Sequence, residues 1–173
     1  EGYTGFLTTA NISGLKYQTL SGDNYILTLT GTTVKDIWIE RGNWTVELNG
    51  ENVIGRAARS FYVGGSANVT IKRGNNGGTL DVTALANDIT ASAISVDRDA
   101  VLTIEGGTIK ATADYNASGT GRSGAIYVAG TLEIKGGEIV TKAEGRKNIM
   151  IDNNSSVFKM SGGTLEATGG RSN

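Results

Sequence analysis

The side chains best suited to chemistry recur at one position of a repeated phrase. In DIWIE (36–40), SFYVG (60–64), AISVD (93–97), AIYVA (125–129) and NIMID (148–152), the residue between two apolar ones is Trp38, Tyr62, Ser95, Tyr127 and Met150. Two residues further on come Glu40, Gly64, Asp97, Ala129 and Asp152. In an extended chain, residues two apart share a face, so an aromatic row lies beside a partly acidic one. Aromatic rings stack on the apolar faces of pyranoses, and carboxylates accept hydroxyl hydrogen bonds or share a cation with an acidic sugar. Trp38, Tyr62 and Tyr127, with Glu40, Asp97 and Asp152, are therefore the candidate residues for holding a polysaccharide. Aromatics are also good strand formers that stabilise cross-strand neighbours, and such a row suits burial under the N-terminal segment or another subunit.

Other chemistries lack their residues. The chain has no His and no Cys, which removes the usual general base, thiolate nucleophiles, disulfides and thiolate metal sites. No sign of a Ser-Lys nucleophile stands in their place. GGTIK (106–110) is no phosphate cradle, because no helix follows it. DRDA (97–100) and DNNSS (152–156) offer oxygen ligands, making Asp97, Asp99 and Asp152 candidates for calcium, although neither stretch carries the calcium-loop pattern ending in Glu. Asp and Asn are ordinary turn formers as well. Asn-x-Ser/Thr occurs at Asn11, Asn43, Asn68, Asn116, Asn153 and Asn154. Each marks a glycan acceptor of a secreted or surface protein, or simply a turn entering a strand. A net charge of −1 gives no electrostatic argument for nucleic acid or an anionic membrane. No stretch approaches the roughly 20 apolar residues of a membrane-spanning helix.

The elements that position these residues follow from composition and period. Among 173 residues there are 26 Gly and no Pro, and no window sustains an apolar stripe at helical spacing. Each apolar-x-apolar phrase is followed by a second alternating stretch: WTVELNG (44–50), NVTIKRG (68–74), LTIEGG (102–107), LEIKGG (132–137) and FKMSGG (158–163). A third comes after the glycines: TLDVTA (79–84), TIKATA (108–113), EIVTKA (138–143) and TLEATG (164–169), with NVIGRA (52–57) less regular. Positions 39, 63, 96, 128 and 151 lie 24, 33, 32 and 23 residues apart. The shorter spacings suit one coil of a three-sided β-solenoid, and the longer ones the same coil with an inserted loop such as YNASGTGRSG (115–124). The expected fold is all-β: a single parallel β-solenoid of about five to six coils, three strands per coil.

Stacked coils pair each backbone with its neighbours at about 4.8 Å. Alternation sends Ile94, Val96, Leu102, Ile104 and Ile109 into the core, then Ile126, Val128, Leu132, Ile134 and Ile139, then Ile149, Ile151, Phe158, Met160 and Leu165. Gly106-Gly107, Gly136-Gly137 and Gly162-Gly163 are expected to sit one above another at a corner. Two domains are expected. Residues 1–35 form an N-terminal cap or pairing segment, with NYILTLTG (24–31) reading as a strand. Residues 36–173 form the solenoid, open at its C-terminal end, where unpaired strand edges invite another chain. The chain starts at Glu1 without an initiator Met or signal peptide, as expected of a processed form or an excised piece.

The phrases VLTIEGGTIKATA, TLEIKGGEIVTKA and VFKMSGGTLEATGG resemble repeats of right-handed parallel β-helix proteins on bacterial cell surfaces, of the carbohydrate-binding domain-containing type. The resemblance spans residues 60–169. It implies a right-handed coil, secretion to the cell surface, binding of plant or acidic polysaccharide, and bound calcium. It also implies kinship with pectate lyases, whose acidic calcium cluster and basic proton abstractor find an echo only in Arg98 between Asp97 and Asp99. The leading expectation is an extracellular, non-catalytic module that binds polysaccharide or mediates adhesion. The alternative is a structural subunit stacking end to end into a filament or surface layer, with a polysaccharide lyase as a minor third. Expected partners are a surface glycan and other copies meeting through solenoid ends. No cofactor is expected apart from calcium.

Overall fold

The computed structural model describes residues 12–84, 91–114, 124–144, 147–152 and 154–169. They form strands and connections, with no helix among them. β1 (Leu15–Thr19) and β2 (Asn24–Thr30) are an antiparallel hairpin, with Leu15 opposite Leu29. β2 then pairs in parallel with β5 (Asn43–Ala57), as does the short β3 (Thr33–Val34). β5 pairs in parallel with β7 (Asn68–Ala84). From β7 the sheet continues through β10 (Thr108–Asp114), β13 (Glu138–Glu144) and β16 (Thr164–Gly169), all in parallel. β9 (Val101–Ile104), β12 (Thr131–Ile134) and β15 (Val157–Met160) extend it as a second limb joined to the first half of β7. A second sheet holds β4 (Ile37–Ile39), β6 (Arg59–Val63), β8 (Ser92–Val96), β11 (Gly124–Val128) and β14 (Lys147–Ile151), again parallel.

Like residues pair with like, one repeat to the next. Ile37, Phe61, Ile94, Ile126 and Ile149 form one column, and Ile39, Val63, Val96, Val128 and Ile151 the next. On the other sheet Val69, Leu102, Leu132 and Phe158 are in register, as are Ile71, Ile104, Ile134 and Met160. These columns fill a core between the two sheets. Burying an aliphatic side chain there stabilises by about 1.5–3 kcal/mol. Outside, Lys72 meets Glu47 at 3.2 Å and Lys159 meets Glu133 at 3.5 Å on paired strands.

Two findings differ from the expectation. In the first two long repeats the second and third stretches run as one strand, β5 and β7, bent at the corner. The bend keeps its pairing: Gly50 stays in register with Gly78 across a shift between Leu48 and Gly50. The corner itself is common to every repeat. Gly50, Gly77, Gly107, Gly137 and Gly163 all have positive φ, and an added Cβ at Gly137 would lie 2.6 Å from Gly107 O. The expected glycine stack is thus present and begins earlier in the chain. Secondly, Ile151, Phe158 and Met160, expected in the core, are exposed. They stand in the core columns, but no strand among the described residues lies beyond them.

Candidate functional site

The second sheet aligns the outward residues as their alternation requires. Trp38, Tyr62, Ser95, Tyr127 and Met150 are in register across β4, β6, β8, β11 and β14. Main-chain bonds carry the ladder past the strand ends: Gly64 N donates to Ile39 O, Asp97 N to Val63 O, Ala129 N to Val96 O and Asp152 N to Val128 O. The acidic row therefore lies beside the aromatic one.

The row is not uniform. Trp38 is 48% exposed, whereas Tyr62 is 7% exposed. The Trp38 indole N–H donates to Arg59 O at 3.0 Å, which fixes the ring's rotation. Its ring is 4.7 Å from that of Tyr62, tilted by 45°. The Arg59 guanidinium lies 5.0 Å from the Tyr62 ring centroid, within cation–π range. Tyr62 also lies flat across Gly64, where any Cβ would run into its Oη, Cε1 and Cζ atoms. From there the Tyr62 hydroxyl donates to Asp97 Oδ2 at 2.7 Å, and Arg98 N donates to Asp97 Oδ1 at 2.9 Å. Tyr62 thus underpins Trp38 instead of presenting its own face. Ser95, buried, separates this cluster from the half-buried Tyr127.

The electrostatics match the packing. Burial, then the bond to Asp97 and that carboxylate's charge, push the Tyr62 phenol up to about 12. For Asp97, burial acts upward but is outweighed by the bonds from Tyr62 and Arg98 N and by the charges of Arg59 and Arg98. Its carboxyl sits below the ordinary carboxylate value.

The remaining candidates are dispersed. Glu40 is exposed beyond β4, and Asp152 is half-buried beyond β14. Asp99 is exposed in a left-handed turn with φ 67°. Asp97, Asp99 and Asp152 do not converge: among the described residues no group of three or more His, Cys, Asp or Glu side chains is placed to hold a metal ion. The turn after β11 is short (Ala129–Gly130), and those after β8 and β14 are longer. A shallow notch of about 160 Å³ results, lined among others by Arg98, Asp99, Gly130, Thr131 and Ser155. Asn43 and Asn68 are exposed and stacked, Asn68 Nδ2 donating to Asn43 Oδ1 at 3.2 Å, and Asn154 lies in an exposed turn. Asn11, Asn116, Asn153 and nearly all of the loop at 115–124 lie outside the described residues.

Reading the sequence missed Arg59 and Gly64. Gly64 carried a signal, as the one glycine in the partly acidic row, two residues from an aromatic on the same face. Arg59 carried none. A scan against protein-family models finds no match, and searches of curated proteins and of solved structures find none either.

Proposed function

We propose that the strands wind as a single right-handed β-solenoid with three stretches per coil, and that it serves as an extracellular, non-catalytic module binding saccharide through the Trp38 face. Parallel pairing of every repeat from β2 onward supports the winding, and parallel β-crossover-β connections are right-handed in almost all folds. The observation that carries the function is Trp38. Its indole N–H is already satisfied by Arg59 O and its ring is braced by Tyr62, yet nearly half its surface faces solvent. A ring held this way loses little entropy on binding. Glu40, exposed two residues along the same face, supplies an acceptor for hydroxyl groups. Tyr127, three rungs away at about 14 Å, offers a second contact along the stack. Tyr62 and Asp97 act as support, and Asp152 flanks Tyr127.

The test is affinity electrophoresis or calorimetry against a panel of neutral and acidic polysaccharides. Removing a stacked ring costs about 1.4 kcal/mol, so Trp38→Ala is expected to weaken binding about tenfold while the fold, read by far-UV circular dichroism, persists. Binding that is equally tight in Trp38→Ala and Tyr127→Ala removes this face as the site.

A further inference from the structure

The two ends of the stack are unlike. At the N-terminal end the core columns are sealed: Leu27 is 0% and Ile39 3% exposed. β1 runs antiparallel along β2, with Leu15 turned inward and its other residues exposed. At the C-terminal end the same columns finish in Met160, 41% exposed, and Ile151, 43% exposed, with Phe158 exposed beside them. β14, β15 and β16 each pair on one side only, with β11, β12 and β13. The usual guards of an open edge are proline, bulges or charges set across it. The chain has no Pro. Lys159, the charge in β15, points along the side of the stack to Glu133.

From this we infer that the C-terminal end is an interaction surface for a second copy of this chain, met tail to tail about a two-fold axis. A head-to-tail filament needs two adhesive ends, and the described N-terminal end is sealed. A tail can meet another tail, because a two-fold contact places one surface against itself. Such a surface must not repel its own image. The described residues of the last repeat, 147–152 and 154–169, carry Lys147 and Lys159 against Asp152 and Glu166, two charges of each sign. Strands meeting in this way run antiparallel, a pairing at least as stable as the parallel one. The contact covers Ile151, Phe158 and Met160 and leaves the Trp38 face, at the other end of the stack, open. It does not depend on the saccharide reading.

Sedimentation velocity of the whole chain over a concentration series tests it. The expected result is a monomer–dimer equilibrium that stops at two. Met160→Lys acts on both halves of a symmetric contact, so the dimer constant is expected to weaken by about a hundredfold, roughly tenfold per half. Tyr17→Lys, on exposed β1, is expected to change nothing. Phe158→Lys replaces Met160→Lys if circular dichroism shows that variant unfolded. Species larger than two, a loss of assembly in Tyr17→Lys, or a monomer at every concentration each overturn the inference.

Discussion

At the scale of single residues, the unit formed by Trp38, Tyr62, Gly64 and Asp97 explains how an exposed indole is held still. Its chemistry has a pH signature. Tyr62 has a raised folded pKa of about 12. Its contribution to stability is fully present below the ordinary tyrosine value near 10 and is lost as pH rises through 12. Asp97 has a lowered folded pKa. Its contribution is present above the ordinary value near 3.9 and is lost as pH falls through the lower folded value. Tyr62→Phe removes the hydrogen bond common to both. Urea unfolding across pH is expected to show a stability gap between the native chain and Tyr62→Phe that is flat from about pH 5 to 9 and narrows on either side. A gap that stays constant from pH 5 down to 3 contradicts the Tyr62–Asp97 bond. The register of this row was legible in the sequence, because alternation decides which side of a strand a residue takes. The burial of Tyr62 was not. It depends on where a ring lies along the face, and that depends on the missing side chain at Gly64 and on the position of Arg59.

At the scale of elements, the corner glycines do two different jobs within one Gly-Gly pair. Gly107 has φ 92°, and an added Cβ would lie 3.1 Å from both Gly78 O and Leu48 Cδ1. At Gly106 the nearest atoms, in Arg73, are 3.4 Å away, an ordinary contact without positive φ. Gly107→Ala is therefore expected to cost at least about 1–2 kcal/mol, and Gly106→Ala to stay within about 0.5 kcal/mol. Thermal unfolding of the two variants checks this, and equal losses would contradict the corner geometry. The columns Ile94–Ile126 and Leu102–Leu132 could be read directly, since the same phrase returns with the same spacing. β1 could not: LKYQT has no counterpart in any repeat, and its antiparallel partner is set by the turn at 20–23. The continuity of β5 and β7 was equally hidden, because a bend that keeps its pairing and one that loses it both need a positive-φ glycine.

At the scale of the molecule, one sealed end and one open end make the stack directional. Sequence reading treats every repeat alike, so it placed Ile151, Phe158 and Met160 in the core with their equivalents Val128, Leu132 and Ile134. Burial is a property of neighbours on both sides, and the last repeat has a described neighbour on one side only. The saccharide face, the sealed head and the open tail all rest on the same register of repeat upon repeat.

That register can be measured in a chain with no native cysteine. Lys110 is paired with Val140 across β10 and β13, so Lys110→Cys with Val140→Cys is expected to close a disulfide on mild oxidation, its Cα atoms lying within bonding range. Lys110→Cys with Lys142→Cys, two residues out of register on the same face, is expected to remain reduced. Ready closure of the second pair and failure of the first would contradict the ladder on which the whole account stands.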